Sequence, residues 1–212
     1  MADSQSNSGR TAGEASGNAR HAARMARKKA LIDAAVAAAS DERGLLLVVT
    51  GNGKGKSTAA FGMVARALGH GMKVGVVQFI KSRTDTGEEA FLGTQSGVEW
   101  HVTGDGFTWD TQNREQDIAT AARGWEIAAR MLADPAYQLV VLDELTYLLS
   151  YGYLDSDSVL DALAQRPAMQ HVVVTGRAAP DALTELADTV SVVADQKHAF
   201  RAGVKAQPGI DF

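Results

Sequence analysis

A buried strand that runs directly into a glycine-rich loop is the feature that most constrains the fold. Residues 45–58 read LLLVVTGNGKGKST: an apolar run, then a turn with two glycines, then Gly55-Lys56-Ser57-Thr58. Glycines let the backbone curl tightly, so that successive N–H groups point at one anion. A helix that begins at such a loop adds its positive N-terminal end. The sequence therefore predicts a cradle for the phosphates of a nucleotide.

The spacing of this loop departs from the usual G-x-x-x-x-G-K-[ST] pattern. In that pattern the first glycine would be at position 50, which is a threonine in this chain. The glycine comes one residue later, at Gly51. Lys56 is expected to neutralise phosphate charge, and Ser57 to ligate magnesium. We expect the loop to bind a nucleoside triphosphate, and the displaced glycine suggests the hypothesis that it does so in an unusual manner.

Apolar runs of strand length alternate with helical patterns through the rest of the chain. Such alternation predicts an α/β fold, which we interpret as a P-loop NTPase-like (RecA-like), mostly parallel sheet with helices on both faces. Ligands bind these sheets beyond the carboxyl ends of the strands. The expected strands cover residues 45–50, 73–80, 98–102, 139–142, 171–175 and 189–193.

A second nucleotide signal is the run LVVLDE at residues 139–144, a buried strand that ends in two acids. An acid across from a phosphate loop can hold magnesium directly or through water. The candidate metal ligands are therefore Ser57, Asp143 and Glu144. Glu144 has two interpretations, since it could polarise an attacking water or provide a further metal or ligand contact, and the sequence leaves both open.

Two large aromatic residues, Phe107 and Trp109, lie in a polar, glycine-containing segment at 104–114. Their period-two spacing puts both rings on one side of an extended chain. They could plug the local core or form the wall of a site for a flat ligand. The preceding segment, residues 81–97, is predicted to be a loop whose role, structural or binding, stays open.

Composition divides the chain into three parts. Residues 1–20 are rich in Ser, Gly, Asn and Ala, and we expect a disordered tail. Residues 21–42 are expected to form a mobile, basic, alanine-rich helix that covers a ligand, with a solvated helix or a transit peptide as alternatives. Residues 43–212 form a single domain. Its C-terminal tail is expected to close over the site, and it carries four potential cations: Lys197, His198, Arg201 and Lys205.

Charge and cysteine content exclude several classes of function. The net charge of −4 gives no reason to expect nucleic acid as a partner. The absence of cysteine excludes disulfides, thiolate-held clusters and cysteine catalysis, and it suits a reducing cytoplasm. No apolar run approaches the roughly 20 residues that span a bilayer, so no membrane association is expected.

Five motifs occur in one order along the chain, and the family resemblance that they carry runs from about residue 20 to the C-terminus. They are Thr50–Gly62, Val76–Lys81, Gly106–Glu115, Val141–Tyr147, and Lys197–Phe200 with Gly203–Gln207. Together they resemble the ATP:corrinoid adenosyltransferases of the cob(I)alamin (cob(I)yrinic acid a,c-diamide) type, whose own variant is the displaced glycine. Members more often carry Thr at the position of Ser57, and the loop at 82–87 departs from the family's forms.

The resemblance implies an enzyme in which a Co(I) corrin attacks the 5′ carbon of ATP and triphosphate leaves. It also implies that ATP lies reversed in the loop and that Glu144 contacts the nucleotide or its metal ion, Mg²⁺ or Mn²⁺. A nucleotide contact from Arg66 is a looser expectation. The nucleotide-binding set implied is Gly51, Asn52, Gly53, Lys54, Gly55, Lys56, Ser57 and Thr58.

On the corrinoid side, the resemblance assigns Phe107 and Trp109 to a place beside the corrin, where they help to displace its lower axial ligand. With Lys56 and Glu144 they complete the catalytic candidates. Because the chain has no thiol that could serve as a reductant, the electron is expected to come from a partner, for which a flavoprotein reductase is the candidate. The family analogy implies a homodimer. The alternatives are an ATPase or kinase that cleaves at the terminal phosphate, and a nucleotide-gated binding protein without catalysis.

Overall fold

The computed structural model of the protein describes residues 8–80, 85–104 and 113–212, with side chains from residue 17 onward. The chain forms two compact units, Met1–Glu42 and Arg43–Phe212. In the described residues, no helix combines the length and the apolar character that crossing a membrane requires.

Among the described residues of the first unit, Ser8–Ala38 form one helix, α1. The helix begins at Ser8, well inside the segment that we expected to be disordered. Alanines and other good helix formers between residues 12 and 24 favour this earlier start. An ion pair of 2.6 Å between Lys29 and Asp33, one turn apart, adds local support.

The second unit alternates strands and helices. Its elements are β1 (Leu46–Thr50), α2 (Lys56–Gly69), β2 (Val74–Gln78), α3 (Gly87–Leu92), β3 (Val98–Val102), α4 (Arg114–Ala133), β4 (Leu139–Asp143), α5 (Leu145–Ser150), α6 (Ser156–Ala164), β5 (His171–Thr175), α7 (Asp181–Leu186), β6 (Thr189–Val192) and a 3₁₀ helix (Ala199–Ala202).

The prediction of a loop throughout residues 81–97 is wrong, because α3 lies within that segment. The side chain of Thr86 caps this helix by accepting a hydrogen bond from the N–H of Glu89. Glu88 and Glu89 place negative charge in the first turn, which favours a helix N-terminus. A short helix that depends on its cap leaves little periodic signal in the sequence.

The six strands form one sheet in the order β3-β2-β4-β5-β1-β6, and every neighbouring pair is parallel. This confirms the predicted α/β fold with a parallel sheet. The order places β5 between β1, which leads into the phosphate loop, and β4, which ends in Asp143. Whatever follows β5 therefore lies between the loop and the acids.

Helices cover both faces of the sheet, as predicted. In β4, Val140 and Leu142 belong to a core cluster with residues of α4, α5 and α6, while Leu139 and Val141 belong to a second cluster with α2. All five residues of β4 are buried, which is why its sequence reads as a continuous apolar run.

Candidate active site

The candidate site lies where β1, β4 and β5 end at one edge of the sheet. Their last residues are Thr50, Asp143 and Thr175, all of them buried. Because the three strands are parallel neighbours, the segments that follow them emerge side by side. Topology alone thus brings together the phosphate loop, Glu144 and the residues after Thr175.

The phosphate loop is attached to the chain that continues β6. Gly53 N–H donates to the carbonyl of Val193, and Val193 N–H donates to the carbonyl of Thr50, each at 2.8 Å. A Cβ atom at Gly51 would lie 2.5 Å from the Val193 carbonyl oxygen, and one at Gly53 would lie 2.5 Å from that of Ala194. Both positions therefore require glycine.

The displaced glycine now has a local explanation. Position 50 is still the last residue of β1, and the Thr50 hydroxyl accepts a 3.3 Å hydrogen bond from the N–H of Ala179. The turn begins only at Gly51, where φ is 103°. The left-handed conformation, which glycine adopts without strain, is required at position 51 and not at position 50.

Lys56 begins α2 and is only 6% exposed. Its Nζ donates a 2.8 Å hydrogen bond to the carbonyl of Gly53, which directs the ammonium back across the loop. Burial lowers the pKa of Lys56, the charge of Glu144 raises it, and the charge of Arg177 lowers it again. The lysine therefore lies among charges supplied by the ends of β4 and β5.

The Asp143 side chain is fully buried, and both of its oxygens accept hydrogen bonds. Gln78 Nε2 donates to Oδ2 at 2.9 Å, and the Thr175 hydroxyl donates to Oδ1 at 2.7 Å. The indole N–H of Trp100 donates to Gln78 Oε1 at 3.1 Å. Side chains from β2, β3 and β5 thus fix the orientation of this carboxylate.

Glu144 links β4 to α5 in a left-handed conformation, with φ 65° and ψ 18°. Such a conformation is uncommon for a residue with a side chain, and it points to a functional constraint. The N–H of Glu144 donates a 2.9 Å hydrogen bond to the hydroxyl of Thr175. The backbone at Glu144 is therefore held from the neighbouring strand.

The C-terminal tail contacts the phosphate loop directly. Lys54 Nζ and Asp211 Oδ1 form an ion pair of 2.7 Å, and this contact lowers the pKa of Asp211. Next to the pair lies a cavity of about 330 Å³, lined by cationic and apolar side chains. Those that bear on phosphate binding are Lys54, Lys197, His198 and Lys205.

The structure brings most, but not all, of the predicted site residues together. Ser57 and Thr58 lie in the first turn of α2, next to Lys56. Arg66 lies ten residues after Lys56 in α2, which corresponds to about 15 Å along the helix axis. It lines a cavity of about 230 Å³ with His70 and His171, so this geometry gives no support to its nucleotide contact.

Phe107 and Trp109 lie outside the described residues. Their interpretation, as part of the local core or as a wall beside a flat ligand, stays a prediction.

Sequence reasoning missed Gln78, Thr175 and Arg177. Arg177 lies two residues after the end of β5, and its carbonyl accepts a 2.6 Å hydrogen bond from the Thr146 hydroxyl. The signal that could have identified Thr175 and Arg177 is the apolar run at 172–174 with the polar residues after it. That signal becomes informative only once β5 is known to lie between β1 and β4.

The donor set fits a magnesium ion that is shared with a nucleotide. Within the described parts of the chain, no three His, Asp or Glu side chains form a group that could hold a metal alone. Ser57, Asp143 and Glu144 supply hydroxyl and carboxylate oxygens, the ligands that magnesium prefers. Magnesium in nucleotide sites usually takes one or two protein ligands, and the phosphates and water supply the rest.

Comparison with known proteins gives matches along most of the chain. The family described as "ATP:corrinoid adenosyltransferase BtuR/CobO/CobP" matches residues 42–212, and "Cob(I)alamin adenosyltransferase N terminal" matches residues 13–36. A solved structure of the flagellar accessory protein FlaH from Methanocaldococcus jannaschii aligns over 73% of each chain, with a TM-score of 0.45 and 11% identity.

Three curated relatives carry corrinoid adenosyltransferase names. The protein from Pseudomonas aeruginosa is 61% identical over 194 residues, which cover 91% of this chain and 96% of the relative. Those from Escherichia coli K12 and Salmonella typhimurium are 55% and 53% identical over 193 residues, which cover 91% of this chain and 98% of each relative.

Proposed function

Since this chain belongs to the ATP:corrinoid adenosyltransferase family, we propose that the edge formed by β1, β4 and β5 holds the triphosphate of ATP as a leaving group. The enzyme transfers the adenosyl group of ATP to a corrinoid in cobalamin biosynthesis. The observation that carries the proposal is the position of Lys56, which is buried at the start of α2 and directed across the phosphate loop by its hydrogen bond to the Gly53 carbonyl.

We assign the chemistry of the leaving group to the loop. When the Co(I) centre attacks the 5′ carbon, the bond from that carbon to the phosphate oxygen breaks and negative charge develops on the triphosphate. The positive charge of Lys56, the N-terminus of α2 and the backbone N–H groups of the loop would stabilise that charge, with the exception of the Gly53 N–H, which binds the Val193 carbonyl. Thr58 and Asn52 are further candidate donors, and Lys54 adds a second cation.

The proposed metal ligands are Ser57 and Glu144. Bound Mg²⁺ or Mn²⁺ would neutralise charge on the phosphates. Asp143 is completely buried, and its two oxygens accept hydrogen bonds from Gln78 and Thr175, so we assign it an indirect role through water or through its neighbours.

The corrinoid side of the site rests on the family resemblance. We propose that Phe107 and Trp109 flank the corrin and help to displace its lower ligand, and that α1 covers it. The proposal also includes a flavoprotein reductase as electron donor, a homodimer and a cytoplasmic location. The absence of cysteine from the sequence supports an external electron donor and a reducing, cytoplasmic location.

The proposed chemistry is tested by identifying the phosphate product. Anaerobic reaction of the enzyme with ATP and a Co(I) corrinoid should give inorganic triphosphate and a light-sensitive adenosyl-corrinoid in equal amounts. ADP without adenosyl-corrinoid would instead indicate an ordinary ATPase or kinase. If neither product forms, the protein would be a binding module.

Substitution of the loop lysine tests the role of the site. Lys56→Ala should lose ATP binding and reduce turnover at least about 100-fold, since it removes the main cation from the leaving group. Lys73→Ala is the matched control, because Lys73 lies before β2 at the opposite edge of the sheet, with its ammonium 3.9 Å from the Tyr137 ring centre. Equal losses in the two variants would contradict the proposed role.

A further inference from the structure

A buried threonine at the end of β5 connects the two acids of the candidate site. Thr175 is the last residue of that strand and is 0% exposed. Its position follows from the sheet order, which inserts β5 between the strand of the phosphate loop and the strand of the acids. A side chain here can act on both neighbours at once.

The hydroxyl of Thr175 is the donor of one hydrogen bond and the acceptor of another. It donates to Asp143 Oδ1 at 2.7 Å, and it accepts from the backbone N–H of Glu144 at 2.9 Å. One hydroxyl thus joins the carboxylate of one acid to the backbone of the next. A hydroxyl has a single proton to donate, so the donation to Asp143 leaves its lone pairs for Glu144.

The carboxylate that orients this hydroxyl is itself held in place. Gln78 Nε2 binds the other oxygen of Asp143 at 2.9 Å, and Trp100 Nε1 binds Gln78 Oε1 at 3.1 Å. The connected groups run from β3 through β2, β4 and β5 to Glu144. None of these hydrogen bonds comes from an exposed, freely rotating side chain.

The end of this network is the strained residue. Glu144 has φ 65°, a conformation that persists in a residue with a side chain only where the surroundings determine it. Its N–H bond to Thr175 is such a determinant, and it sets the direction in which the glutamate side chain leaves the backbone. Because β4 and β1 flank β5, Glu144 leaves its strand at the same edge of the sheet as the phosphate loop.

We propose that Thr175 is a positioning residue, whose hydroxyl couples buried Asp143 to Glu144 and so fixes the Glu144 carboxylate for the metal–nucleotide complex. The inference rests on the proposed function, in which Glu144 is a ligand of that complex. It gives Asp143 a specific task, that of orienting the hydroxyl of Thr175.

The test compares variants that keep or remove the hydroxyl. Thr175→Val preserves the shape but loses both hydrogen bonds, whereas Thr175→Ser keeps the hydroxyl and loses only a methyl group. Thr146→Val is the matched control, because Thr146 is a buried threonine of the same region whose hydroxyl binds the Arg177 carbonyl and neither acid. Mn²⁺ affinity in the presence of ATP, measured by electron paramagnetic resonance, is the main readout, and kcat and KM for ATP accompany it.

We expect Thr175→Val to weaken Mn²⁺ binding about tenfold, the range seen when a group behind a metal ligand is lost. Thr175→Ser should stay within about twofold of the wild type, and Thr146→Val should leave Mn²⁺ affinity unchanged. Wild-type Mn²⁺ affinity in Thr175→Val, or equal losses in Thr175→Ser and Thr175→Val, would overturn the proposal. If Thr175→Val does not fold, Thr175→Ala replaces it with the same expectations.

Glu144→Gln separates this inference from the proposed function. If Glu144→Gln weakens Mn²⁺ binding and Thr175→Val does not, the positioning role is wrong and the metal role of Glu144 stands. If Glu144→Gln leaves Mn²⁺ affinity unchanged, the proposed metal role is wrong, and the inference that rests on it is overturned as well.

Discussion

Lys54, within the phosphate loop, forms a 2.7 Å ion pair with Asp211, the residue before the C-terminus. The tail therefore places a carboxylate on a cation that the proposed function assigns to the triphosphate. The Lys54 side chain is 43% exposed, and ion pairs between exposed side chains contribute little to stability. The ion pair should therefore affect nucleotide binding more than it affects the stability of the fold.

The first prediction is that Asp211→Asn tightens ATP binding. Removing the carboxylate frees Lys54 for phosphate and lowers the local negative charge, so we expect the Kd for ATP to fall by about two- to fivefold. Titration calorimetry at low salt would measure the change, and raising the ionic strength should diminish it.

Asp195→Asn is the control for this prediction. Asp195 lies in the same C-terminal region and pairs with Arg201 through two hydrogen bonds of 2.6 and 2.9 Å, without contact to the loop lysine. Its substitution should leave the Kd for ATP unchanged. Weaker ATP binding in Asp211→Asn would mean that the ion pair serves to order the tail over the nucleotide.

The second prediction concerns the displaced glycine. Gly51→Ala should destabilise the protein by about 1–3 kcal/mol, because φ is 103° there and the new Cβ would lie 2.5 Å from the Val193 carbonyl oxygen. Gly69→Ala, at the end of α2 with nothing within 4 Å of its Cβ, should be neutral or slightly stabilising. Denaturant unfolding measures both, and equal effects would contradict the steric explanation.

Sequence reasoning was most informative where the candidate site residues follow one another directly along the chain. Lys56 and Ser57 could be proposed as site residues because the glycine loop, the lysine and the start of the helix follow one another. Asp143 and Glu144 could be assigned because a continuous apolar run marks a strand buried on both faces, and the chain leaves such a strand at the ligand-binding edge.

The residues that were missed depend on the order of strands in the sheet. Thr175 and Arg177 matter because β5 lies between β1 and β4, and no local pattern encodes that neighbourhood. Gln78 was passed over because it ends an apolar strand and its partner, Asp143, lies 65 residues away. The start of α1 at Ser8 was missed because serine and glycine in the first 20 residues suggested disorder, although the nearby alanines favour a helix.

The third prediction tests the aromatic loop through the oxidation state of the corrinoid. Trp109→Ala should reduce turnover with a Co(II) corrinoid and a reductase far more than turnover with chemically prepared Co(I). The proposed reason is that loss of the lower ligand makes Co(II) easier to reduce, and a shift of about 59 mV changes a one-electron ratio tenfold. Parallel assays measure both rates, and equal losses would mean that Trp109 only supports the fold.

The fourth prediction concerns a pH-dependent contact away from the site. Hydrogen bonds from Tyr137 and His101, with an ion pair to Arg130, lower the pKa of Glu99 in β3 from 4.5 to about 2. Because the folded-state pKa is depressed, the stabilisation is present above pH 4.5 and is lost as the pH falls from there towards 2.

Glu99→Gln should therefore lower the free energy of unfolding by about 1 kcal/mol at pH 7, a value reduced for partial exposure. The difference from wild type should shrink as the pH approaches 2. Glu126→Gln, an exposed position on α4, should change stability by less than about 0.5 kcal/mol. Urea unfolding at several pH values measures the difference, and a gap between wild type and Glu99→Gln that does not vary with pH would contradict this origin.

The last prediction assigns a binding role to Arg177. This residue follows β5, between the phosphate loop and Glu144, and its charge is near enough to lower the pKa of Lys56. Arg177→Ala should weaken ATP binding roughly tenfold, about 1.4 kcal/mol, and Arg177→Lys should recover part of it. Calorimetric titration with ATP measures the change. Arg123→Ala, whose guanidinium binds Thr120 on α4, should have no effect, and an unchanged Kd in Arg177→Ala would show that its charge does not reach the triphosphate.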